Sequence, residues 1–103
     1  MKLRIVVSLP NDNEFQHQQA VVARSTAMRL GVDIQVFHAG DDAITQSEQL
    51  LNAVQSSAES RPDAIVVAPV SKTGLPRVAR AATAAGIAWV VCSSNVDYLS
   101  ELL

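Results

Sequence analysis

Four short apolar runs, rich in β-branched residues and separated by longer polar-studded stretches, dictate what this chain can fold into. They are LRIVVSL (3–9), VDIQVFH (32–38), AIVVA (64–68) and IAWVVC (87–92). Runs of this length and residue type read as strands, and a continuous apolar one such as 64–68 belongs in the middle of a parallel sheet. Pro10 and the cluster Asn11-Asp12-Asn13 stop the first run, and Pro69 stops the third. In the second run, alternation puts Val32, Ile34 and Val36 on one face.

Between the runs the periodicity becomes helical. Asn13 is placed to cap a first helix with Glu14 in its first turn, and Ala23, Ala27 and Leu30 form an inward stripe before Gly31 closes it. A second helix carries Ile44, Ser47, Leu51, Val54 and Ala58 at steps of three and four, with Asp41 and Asp42 at its positive end, and Arg61-Pro62 stop it. A third begins around residues 74–76, buries Leu75, Val78, Ala79 and Ala82, and ends at Gly86. The order is therefore βαβαβαβ, and residues 96–103, capped by Asp97, add a short C-terminal helical turn. Short connections and right-handed crossovers assemble such a chain into an α/β, doubly wound parallel sheet, a flavodoxin-like lobe with strand order 2-1-3-4. One domain fits in 103 residues, and a composition 49% apolar but only 4% aromatic suits small helices packed closely on a sheet.

In a sheet of this kind ligands bind beyond the carboxyl ends of the strands at the switch point, which selects residues 10–15 and 69–73, with Ser93, Ser94 and Asn95 adjacent. The chemistry available there is narrow. Ser71-Lys72-Thr73 lacks the glycines that would let backbone amides wrap a phosphate, leaving a surface loop in which Ser71 or Thr73 caps the third helix. The first loop has no G-x-G-x-x-G, which removes the dinucleotide signature. Ala68 and Pro69 stand where a receiver domain needs an aspartate. His17, His38 and the lone Cys92 do not make a zinc set, and Cys92 at a strand end reads as a small buried hydrophobe. Asp12 and Glu14 are open to two roles, as a turn-stabilising aspartate and a helix-dipole glutamate or as ligand contacts. No cofactor and no metal are expected, and a formal charge of -2 argues against nucleic acid or an anionic membrane as partner. The apolar start is too short for a signal peptide, so the polypeptide as written is expected in the cytoplasm; Met1 in place of a leader would equally suit an exported domain.

Taken together, LRIVVSLPNDNEFQHQQ, RLGVDIQVFHAGDDAITQSEQLLNAVQS and PDAIVVAPVSKTGLPRVARAATAAGIAWVV resemble, in order and spacing, the type I periplasmic-binding-protein fold of ribose-type sugar-binding proteins and lactose-repressor-like sensors. The resemblance implies a non-enzymatic, periplasmic solute binder of an ABC transporter or a sensor, whose two lobes close over a sugar or polyol. It implies ligand contacts at Asn11, Asp12, Glu14, Phe15, Ser93, Ser94 and Asn95. Phe15 matches a position where the family stacks an aromatic ring on the sugar, whereas Glu14 occupies a second such position and brings a carboxylate instead. Ser93-Ser94 replaces a common Asp-Arg pair, and Ala68 falls where a side-chain amide is frequent.

By the same resemblance, residues 1–103 amount to an N-terminal lobe without its second lobe, and a single cleft wall is expected to hold a ligand poorly. A fourth strand with neither charge nor proline at the sheet edge predicts a homodimer. The competing expectations are a self-standing dimeric interaction or scaffold domain with no ligand, and a flavodoxin-like enzyme resting on Cys92 and the acidic first loop.

Overall fold

The computed structural model describes residues 3–57, 60–70 and 75–91. The elements are β1 (Arg4–Leu9), α1 (Glu14–Leu30), β2 (Asp33–His38), α2 (Ala43–Gln55), β3 (Ala64–Val67), α3 (Pro76–Ala84) and β4 (Ala88–Val91). All strand pairs are parallel and the order is β2-β1-β3-β4, as the alternation of runs predicts. The register sets Val7 beside Val36 and Val66, and Val66 beside Val90, so one apolar row crosses the whole sheet.

The sheet separates two cores. On one face Val6, Ile65 and Val67 pack with Leu50 and Val54 of α2 and Val78 and Ala82 of α3. On the other, Val7 and Leu9 pack with Ala20 of α1. Ile34 and Val36 share this second face, in agreement with the alternation in β2.

Local chemistry explains most helix ends. The Asn13 side chain accepts from the Gln16 N–H, and Gly31 closes α1 in the left-handed region that glycine enters without steric cost. Leu75, Val78, Ala79 and Ala82 are buried as expected. α3 starts at Pro76, within the expected 74–76, but its cap differs: the cap position is Leu75, a non-glycine residue at φ 76°, with no side-chain cap bond. Ser71, Thr73 and Gly74 lie outside the described residues, as do Ala58, Cys92 and the C-terminal turn at 96–103.

Two helix faces need correction. In α2 the buried stripe is Gln46, Leu50 and Val54; Ile44 is 70% exposed, while Ser47 and Leu51 are half-buried. Val54 is buried as expected; apolar periodicity misplaced the earlier turns because one inward position, Gln46, is polar and Leu50-Leu51 satisfies either phase. In α1 Ala27 is buried and Ala23 half-buried, but Leu30 is 67% exposed at the end of the helix. Among the described residues no helix is long and apolar enough to cross a membrane.

Candidate functional site

The loops at the carboxyl ends of β1, β2 and β3 form one connected structure. The Ala39 N–H donates to Leu9 O at 3.0 Å, the Asp41 N–H to Pro10 O at 2.6 Å, and the Ala68 N–H to Ser8 O at 2.9 Å. Asn11 is the centre of the first loop. Its Nδ2 donates to Asp41 Oδ1 at 2.7 Å, and its Oδ1 accepts from the Asn13 N–H at 3.0 Å. His38 Nδ1 lies 2.9 Å from Asn11 O; a carbonyl oxygen can only accept, so this ring nitrogen carries the proton. These bonds hold residues 10–13 against the loop that follows β2.

Gln46 performs the corresponding task for the loop after β3. Its side chain is only 1% exposed, and it reaches from α2 to the edge of the site. Nε2 donates to Ser8 Oγ at 3.0 Å and to Ala68 O at 3.1 Å, while Oε1 accepts from the Val70 N–H at 3.0 Å. Ser8 is itself fully buried. One amide thus joins the end of β1 to both sides of Pro69 and uses both its donors and its acceptor.

Of the residues expected to contact a ligand, Asn11, Asp12, Glu14 and Phe15 are gathered on the loop after β1 and the first turn of α1. Asp12, Glu14 and Phe15 are exposed, whereas Asn11 is half-buried and its amide already bonds within the loops. Ser93, Ser94 and Asn95 lie outside the described residues. Phe15 also lines a cavity of about 630 Å³ between α1 and the sheet, near Pro10 and Pro69. Among the described residues no group of three or more His, Cys, Asp or Glu is placed to hold a metal ion. Gln46 escaped sequence reasoning, since nothing in a polar residue one helical turn before Leu50 distinguishes a buried network from a solvated face.

Asp42 caps α2 beside this loop. Its Oδ1 accepts from the Ile44 N–H at 2.9 Å and its Oδ2 from the Thr45 hydroxyl at 3.1 Å. The Ile44 amide above all, and then the Thr45 hydroxyl, hold its carboxyl below the ordinary 3.8. A carboxyl depressed by folding adds stability above its unfolded value, and that stability is lost as pH falls through the folded value. Asp42→Asn keeps an acceptor at the cap and removes the charge, so its loss of stability on acidification below 3.8 should be shallower than that of the parent chain, as urea titrations over that range will read.

The chain matches a known family. The periplasmic binding protein domain family matches residues 5–100. The chain belongs to that family. No curated protein matches it in sequence. Among solved structures, this periplasmic-binding-protein chain is similar to an ABC transporter periplasmic solute binding protein from Actinobacillus succinogenes with bound D-allose, at TM-score 0.84 and 22% identity over 99% of the chain and 36% of that protein. A solute binding protein from Mycobacterium smegmatis with bound glycerol gives 0.82 and 22%, covering 94% and 33%. One from Bacillus halodurans with bound myo-inositol gives 0.79 and 24%, covering 97% and 34%. At these identities the likeness is one of fold, and the chain spans about a third of the length of each.

Proposed function

We propose that residues 1–103 form the N-terminal lobe of a two-lobed, non-enzymatic solute-binding protein that takes a sugar or polyol in the periplasm for an ABC transporter or a sensor. The observation that carries this reading is the loop cluster at the switch point of the sheet. There Asn11, Asp41 and Gln46 tie three strand ends together, and Asp12, Glu14 and Phe15 project from that base. Carboxylates accept from vicinal hydroxyls, and an aromatic ring covers the apolar face of a pyranose or cyclitol. D-allose, glycerol and myo-inositol, held by the similar structures, are polyhydroxylated and uncharged. The family resemblance adds Ser93, Ser94 and Asn95 to the proposed contacts.

The test is calorimetry of the two-lobed protein against D-allose, glycerol and myo-inositol. Binding of at least one without turnover is expected, and Asp12→Ala should weaken it about tenfold or more. Heat from none of the three would overturn the reading. Residues 1–103 alone supply one cleft wall and are expected to bind far more weakly. A second expectation concerns self-association: among the described residues β4 is a sheet edge, with Ala88 exposed and Val90 48% exposed. Unprotected edges pair, so sedimentation should show a homodimer that Val90→Lys converts to monomer.

A further inference from the structure

Three successive carbonyls of the first loop accept hydrogen bonds from the end of β2 and the loop that follows it. Leu9 O takes the Ala39 N–H at 3.0 Å, Pro10 O the Asp41 N–H at 2.6 Å and Asn11 O the His38 Nδ1–H at 2.9 Å. Asp41 also turns back on the first loop through its side chain, whose Oδ1 accepts from Asn11 Nδ2 at 2.7 Å. One residue therefore grips two consecutive ones, Pro10 through its backbone and Asn11 through its carboxylate. It does so from a left-handed backbone: Asp41 stands at φ 61°, directly after Gly40 at φ 62°. A side-chain-bearing residue persists at positive φ where its surroundings fix it, and aspartate and asparagine tolerate that conformation best.

The Asn11 amide is engaged at both ends. A carboxylate can only accept and a backbone N–H can only donate, so Nδ2 faces Asp41 and Oδ1 faces the Asn13 N–H. Asn13 is held in turn, its Oδ1 accepting from the Gln16 N–H at 2.9 Å. Asp12 lies between these two fixed asparagines and is exposed, and its carboxylate has no partner among the described residues. Its neighbours set its position while its own acceptor oxygens stay available.

We propose that Asn11 and Asp41 are positioning residues for the ligand site: the pair holds the first loop so that Asp12 meets a ligand hydroxyl already in place, and Asn11 is not itself a ligand contact. The role assigned to Asp12 rests on the solute-binding reading above. A loop ordered before binding spares the complex the cost of ordering it, so the pair acts on affinity without touching the ligand.

Exchanging the two side chains tests this. Asn11→Asp keeps the acceptor for the Asn13 N–H but sets two carboxylates against each other. Asp41→Asn in that background restores a donor facing an acceptor at the parent's net charge, and asparagine suits the left-handed position as aspartate does. Asn11→Asp should quicken hydrogen exchange at the Asp41 and Asn13 amides about tenfold, and the exchanged pair should return both to within about threefold of the parent. In calorimetry of the two-lobed protein with D-allose, glycerol and myo-inositol, the Kd of whichever binds should follow the same course, rising about tenfold and returning. Protection restored without affinity would mean that the Asn11 amide meets the ligand itself. A raised Kd with unchanged exchange would mean that the added charge acts on the ligand directly. Either result overturns the proposal, as does an Asn11→Asp variant indistinguishable from the parent. Heat from none of the three solutes in the parent overturns the functional reading instead, and the exchange measurement, which needs no ligand, still decides whether the pair holds the loop.

Discussion

Gln46→Ala should destabilise the fold by about 3 kcal/mol, most of it from three polar groups left without their partner. Ser8 Oγ, Ala68 O and the Val70 N–H all bond to this one amide, and Ser8 has no exposure through which water could replace it. The damage should be local as well as global, since the bonds lie on both sides of Pro69. Amide exchange at Val70 should quicken more than exchange in the middle of β3. Gln46→Glu separates this network from simple packing. The new side chain has the same shape, and as a carboxylate it can accept from the Val70 N–H but has no hydrogen to give Ser8 Oγ or Ala68 O. Burial against a carbonyl oxygen favours its neutral form and raises its pKa on folding. A raised carboxyl pKa means that the variant is most stable at low pH and loses stability as pH rises through the folded value. Urea unfolding at about pH 4.5 and about pH 7 should therefore show a larger deficit for Gln46→Glu at the higher pH, whereas Gln46→Ala should show nearly the same deficit at both. A pH-independent deficit for both variants would mean that Gln46 contributes volume only.

Sequence legibility followed the length scale of the interactions. The strands were legible because β-branched runs bounded by Pro10 and Pro69 have few other structures open to them, and the order 2-1-3-4 follows from chain sense and crossover handedness. Helix ends set by a single side chain or glycine, such as Asn13 and Gly31, were legible too. The cap of α3 was not, because Leu75 adopts a left-handed conformation that its residue type does not favour. The position of the candidate site could be derived from the switch-point rule, but its construction could not. Asn11 meets Asp41 across thirty positions of sequence and Gln46 meets Ser8 across thirty-eight, and no local pattern encodes either bond. Nor does the pattern distinguish a ligand contact at Asn11 from an amide already bonded within the loops.

The orientation of α2 offers the second large effect, because it contrasts two similar residues on one helix. Leu50 has no exposed surface and packs with Val6, Ile65 and Val78 in the larger core, whereas Ile44 is 70% exposed in the first turn. Leu50→Ala removes three buried carbons from a site packed between the sheet and α3, at a cost of about 3 kcal/mol. For a domain of this size that corresponds to a fall in Tm on the order of 15 °C. Ile44→Ala removes as many carbons from a solvated position and should stay within about 0.5 kcal/mol, helped by the higher helix propensity of alanine. The ratio of the two effects measures the helix phase directly. Rotating the first turns of α2 so that Ile44, Ser47 and Leu51 face inward with Val54, as apolar periodicity suggests, would carry Gln46 off the Ser8 hydroxyl and reverse the ranking of the two substitutions. Thermal melts of Leu50→Ala and Ile44→Ala side by side therefore test the phase that also places Gln46 at the base of the site, and a larger loss for Ile44→Ala would remove the structural basis assigned to the loop after β3.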